Sequence, residues 1–112
     1  MKDLIKELHQ TKLVKVTGSF ADGTNNENSD IDFWVKEDHP EHKFPEESNM
    51  QKIIKVLEKF NIKWHSSMTG YISTIGESNP ELETELEFSN LWHKRPNKLS
   101  SITIKGNQFK TY

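Results

Sequence analysis

The chain has 112 residues, a formal charge of −2 and no cysteine. That length suits one small domain and leaves no room for two, and the missing cysteine excludes disulfides, zinc–thiolate sites and thiol catalysis. Acids and bases alternate along the chain, so composition alone indicates no nonspecific grip on nucleic acid.

Hydrophobic residues make up only 32 %, but three Trp, six Phe and two Tyr supply bulky pieces for a modest core. No apolar run approaches the roughly 20 residues that cross a bilayer, and the N-terminus lacks the charged-then-apolar pattern of a signal peptide. The expectation is a cytoplasmic protein with no membrane partner.

Met1, Leu4, Ile5 and Leu8 recur at helical spacing and predict a short amphipathic helix over 2–9. Leu13 to Thr17 is a β-rich run that stops at a Gly18–Ser19 turn. Thr24 to Ser29 is Asn-rich and polar, as a surface loop would be. Residues 30–36 predict a second strand, Asp-Ile-Asp-Phe-Trp-Val-Lys. Side chains alternate along a strand, so Asp30 and Asp32 share one face while Ile31, Phe33 and Val35 turn inward. Two like charges placed side by side repel, which makes a hard divalent cation the first expectation for their partner.

Residues 37–47 carry Pro40 and Pro45 among charges and read as a connector. Ser48 and Gln51 have capping-box spacing, and Met50, Ile53, Ile54, Leu57 and Phe60 then mark one face of a helix. Asn61 suits a left-handed stop, and 62–68 alternates as a third strand. The stretch 69–80 fits a strand or a short helix until Ser78–Asn79–Pro80 breaks it. Leu82, Leu86 and Phe88 alternate with Glu83, Glu85 and Glu87, predicting a strand over 82–88 with an acidic face. Arg95–Pro96–Asn97 ends the next segment. A last strand at 101–104 turns through Lys105–Gly106–Asn107–Gln108 towards Phe109.

A Gly-Ser pair, a further Gly after a small-residue turn, a variable loop and Ser-Asp-hydrophobic-Asp occur here as Gly18–Ser19, Ala21–Asp22–Gly23 and Ser29–Asp30–Ile31–Asp32. The pattern resembles the signature of the DNA polymerase beta-like nucleotidyltransferase superfamily, and most closely that of its minimal single-domain members. The resemblance implies an α/β (α+β) fold with a mixed sheet and helices mainly on one face, spanning 1–112 as one domain. It implies Mg²⁺-dependent transfer of a nucleoside monophosphate from a nucleoside triphosphate, such as ATP, to a hydroxyl on a small molecule, protein or RNA. Two metal ions would serve the in-line displacement.

Under this resemblance Asp30 and Asp32 are metal ligands. The superfamily's third carboxylate falls on Glu87, whose Leu86–Glu87–Phe88 setting repeats Ile31–Asp32–Phe33, with Glu85 in reserve. Glu87 would bind the second metal or help deprotonate the acceptor. Gly18 lets a phosphate approach the backbone, and Ser19 offers its hydroxyl.

Other readings attach to the same residues. The fold also serves domains that bind a nucleotide or a partner protein without chemistry, such as the antitoxin-like half of a two-protein system. The acidic strand would equally suit a docking face. His39, His42, His65 and His93 read as surface or structural residues, Trp34 as packing or else a stack for a base, and Lys94–Arg95 as a solvated basic turn or a guide for phosphate or an anionic acceptor.

Overall fold

In the computed structural model the described residues are 1–36, 48–68, 70–90 and 99–112. The proline-bearing connector with His39 and His42, and the segment with His93, Lys94 and Arg95, lie outside them.

Helix α1 (Lys2–Thr11) buries Leu4, Ile5 and Leu8 and ends with Lys12 in the left-handed region. Strand β1 (Val14–Thr17) leads directly into α2 (Gly18–Asp22), so the Gly-Ser turn is the first turn of a short helix. β2 (Ile31–Val35) follows the polar loop, where Asn26 and Ser29 bond each other's backbone and so hold the turn closed. Helix α3 (Asn49–Lys59) starts where its capping residue predicts, with the Gln51 amide donating to Ser48 Oγ at 3.1 Å. Asn61 takes φ 57°, the left-handed stop expected there.

The ambiguous stretch after β3 (Trp64–Met68) resolves into β4 (Tyr71–Thr74) followed by a 3₁₀ turn at Gly76–Ser78. β5 is Leu86–Ser89, which corrects the strand expected at 82–88. Its neighbours explain the late start. Pairing with β2 begins at Ile31↔Leu86, and the Leu82 amide is already committed to Asn79 in a turn. Alternation at 82–85 thus has no partner strand to make it a sheet. The last elements, β6 (Ser101–Ile104) and β7 (Asn107–Lys110), form a hairpin whose central residues Lys105 and Gly106 both have positive φ, the geometry that two-residue hairpin turns require.

Strands pair in the order β1-β2-β5-β4-β3, with β2 and β5 parallel and the other pairs antiparallel. The crossover that makes β2 and β5 parallel contains α3 and the β3–β4 hairpin. Helices α1 and α3 pack together on the sheet's inner face, where Val16, Phe33, Val35, Ile72, Leu86 and Phe88 are fully buried with Ile53 and Leu57. Phe33 and Phe88 stack at 5.1 Å between centroids, tying the parallel pair together from below. At the other edge Tyr112 donates its amide to Val16 at 2.8 Å, and Thr111 bridges to Val16 in parallel fashion. The mixed α+β architecture agrees with the expected fold class. Among the described residues no helix is long and apolar enough to cross a membrane.

Candidate functional site

The inward apolar residues of β2 and β5 force the alternate side chains outward, and there the carboxylates meet. Ile31 and Phe33 are buried, so Asp32 between them is turned to the outer face; Leu86 and Phe88 do the same to Glu87. The parallel register then sets Asp32 directly opposite Glu87. Asp30 lies one residue ahead of β2, where the Ile31 amide bonds the Glu85 carbonyl at 3.0 Å.

The electrostatics follow from this crowding. Burial, then the charges of Glu87 and Glu85, raises the Asp30 carboxyl above the usual aspartate range. A hydrogen bond with Asp32 holds Glu87 below the usual glutamate range despite burial, and the Tyr71 hydroxyl helps by donating to Glu87 Oε1 at 2.7 Å. The two carboxyls thus stand close enough for each to act on the other.

Gly18 closes the site from the β1 side. Its φ is +71°, and a Cβ built there would overlap Asp32 Oδ2 and stand 3.1 Å from Asp32 Cγ. Backbone therefore lies flush against the Asp32 carboxylate, which only glycine permits. Ser19 follows in the first turn of α2, half-buried, and its carbonyl accepts from Thr24. Glu85 is exposed, and its carboxylate leans on Gly76. Of the two candidate third carboxylates, Glu87 is the one paired with Asp32.

Sequence reading missed Tyr71 and Ser73, which complete the surroundings of Glu87. Ser73 pairs with Glu87 across β4–β5, and its Oγ is 2.8 Å from His65 Nε2. The signal was present in Tyr71–Ile72–Ser73, since a buried Ile72 turns both neighbours outward, but which strand lies alongside was not readable. Trp34 packs, as expected: Tyr112 stacks on it at 4.3 Å between centroids.

All donors at the site are oxygens, the set that hard ions such as Mg²⁺ take. Among the described residues no group of three or more His, Asp or Glu side chains is already gathered around a metal-sized space. Asp32 and Glu87 instead face each other directly. The donor chemistry fits a hard cation, and seating one requires these carboxylates to turn towards it.

No characterised protein and no solved structure matches the chain significantly. The nucleotidyltransferase domain family matches residues 1–98, which takes in the Gly18–Ser19 turn, the aspartates and β5. A match over that much of the chain, on a five-stranded mixed sheet that sets Asp32 against Glu87, shows that it belongs to the nucleotidyltransferase domain family.

Proposed function

We propose that this chain, as a single minimal domain over 1–112, is a Mg²⁺-dependent nucleotidyltransferase. It moves a nucleoside monophosphate from a nucleoside triphosphate, ATP among the candidates, to a hydroxyl acceptor. The cytoplasm, where triphosphates are supplied, is its setting. The observation that carries this reading is the register pair Asp32↔Glu87, with Asp30 one residue ahead of the strand and Gly18 pressed against Asp32.

Asp30, Asp32 and Glu87 would hold the metal, and Mg²⁺ bound there supplies charge neutralisation for the attacking and leaving oxygens. Gly18 and Ser19, at the start of α2, give the triphosphate a backbone approach and a hydroxyl. Glu87, its carboxyl held below the usual glutamate range, would serve as the base for an incoming hydroxyl. It takes the acceptor's proton as the acceptor oxygen bonds to the α-phosphorus and pyrophosphate departs with the bonding electrons. Tyr71 holds Glu87 in place for that role.

A second reading, a noncatalytic domain that binds nucleotide or a partner protein, draws on the closed Asp32–Glu87 pair, which is not a preformed metal cup. Incubation of the protein with each α-phosphate-labelled triphosphate, Mg²⁺ and a host lysate separates the two. Label should appear on an acceptor with the wild type and vanish with Asp30→Asn/Asp32→Asn. No label from any triphosphate would sink the transferase reading. A nucleotide-dependent rise in Tm that Asp30→Asn removes would then establish the noncatalytic one.

A further inference from the structure

Charges that alternate along the sequence are sorted by the fold. Where the end of α1, β1, the end of β2 and β7 come together, a cleft of about 420 Å³ is lined by Lys12, Lys15, Lys36 and Lys110, with His9 and Trp34 in its wall. No acidic side chain among the described residues lines it. The two ion pairs described elsewhere use Lys59 and Lys105, so the cleft lysines are not neutralised by a described carboxylate.

The wall is aromatic as well as basic. Trp34 stacks on Tyr112, and Lys15 Nζ sits 5.8 Å from the Trp34 ring and 5.9 Å from the Tyr112 ring. Trp34 Nε1 is buried without a hydrogen-bond partner. Trp34 also shares its face of β2 with Asp32, two residues away, and Lys36 lies a further two residues along. At about 3.3 Å per residue the cleft begins within about 13 Å of the carboxylates.

We infer that this cleft binds single-stranded nucleic acid, with Lys12, Lys15, Lys36 and Lys110 on the phosphates and Trp34, backed by Tyr112, beside a base. Cationic side chains interleaved with aromatic rings are what a single strand requires, whereas an acidic protein segment has no use for the rings. The binding stands on the cleft alone. That the strand is the hydroxyl acceptor of the carboxylate site rests on the transferase reading.

Fluorescence anisotropy with labelled RNA and DNA strands of about 12 nucleotides, within the range such sites cover, tests it on the full chain without metal or triphosphate. Lys15→Gln/Lys36→Gln should weaken binding at least tenfold and lower the slope of log K against log salt by roughly 1.4, about 0.7 for each lost phosphate contact. Lys52→Gln, on α3 and outside the cleft, should bind as the wild type does. No strand bound by the wild type, or equal binding by the lysine variant, overturns the inference. So does a poly-glutamate peptide bound as tightly as the strands, which would mark the cleft as a dock for acidic protein. A strand bound through the lysines but never labelled from a triphosphate leaves the cleft assigned and overturns the strand's role as acceptor.

Discussion

Tyr71 donates its hydroxyl to Glu87 Oε1 at 2.7 Å, reaching diagonally across the antiparallel β4–β5 pair. The bond fixes Glu87 on the side of Asp32 and gives Tyr71 an acid constant of its own. Burial, then the Glu87 hydrogen bond and charge, pushes the phenol from 10.0 up to about 12. Tyr71 thus positions a carboxylate that its own sequence context did not point to.

Tyr71→Phe should cost about 10- to 100-fold in Mg²⁺ affinity or activity, the scale on which partners of metal-bound carboxylates act. The stability consequence has a definite sign. The folded state favours the neutral phenol, so this contribution is complete below pH 10.0 and is lost as pH rises towards about 12. Urea denaturation of wild type and Tyr71→Phe across that window should show their difference shrinking. A gap that widens above pH 10.0 would contradict the direction of the Tyr71 shift.

Glu87→Gln should abolish transfer while Glu85→Gln retains most of it, because only Glu87 stands opposite Asp32 in the sheet. Retained transfer in Glu87→Gln with loss in Glu85→Gln would move the third carboxylate to Glu85.

Gly18→Ala faces two penalties. A left-handed conformation costs an L-residue about 1–2 kcal/mol, and the new methyl must displace the Asp32 carboxylate. Expected are a drop in Tm and loss of Mg²⁺ response beyond what the lost stability explains. Gly106→Ala at the hairpin is the control, since it has positive φ but nothing within 4 Å of its Cβ. Equal Mg²⁺ responses in the two variants would mean that the close approach to Asp32 has no bearing on the site.

Asp30→Asn should raise Tm by a few degrees at neutral pH in metal-free buffer, the scale on which a fraction of a kcal/mol acts in a domain of this size. Its carboxyl is raised by burial and by Glu87 and Glu85, so ionising it works against folding as pH climbs through the aspartate range. With Mg²⁺ the order should reverse. A wild type at 100 times its Kd gains about 2.7 kcal/mol, and the variant should gain little. That gain should also fade as pH drops, because the cation competes with protons for the carboxylates. An Asp30→Asn protein less stable than wild type without metal would contradict the crowding described at this site.

Local patterns decided much of this molecule. The stripes Leu4–Ile5–Leu8 and Ile53–Ile54–Leu57 make helices wherever they fall, because their period is set by the backbone. The Ser48 cap and the left-handed Asn61 are likewise local, made by residues within a turn of one another. Gly18–Ser19 and Asp30–Ile31–Asp32 were legible for the same reason, since a short loop between two strands brings them together without help from the rest of the chain.

Strand partnership was not local, and only the tertiary structure decided it. Alternation at Leu82–Glu83–Thr84–Glu85 looks the same as at Leu86–Glu87–Phe88, yet only the latter has β2 and β4 on either side. The choice of Glu87 over Glu85 for the Asp32 pairing and the recruitment of Tyr71 both follow from that register. The lysine cleft has the same origin: Lys12 and Lys15, Lys36, and Lys110 come from three separate stretches and meet only when the C-terminal hairpin docks beside β1. By itself the sequence determined the two amphipathic helices, the strands on either side of the glycine turn and which carboxylates stand beside that turn. Which of those segments lie side by side, and so which charges face one another, depends on contacts between residues far apart in the chain.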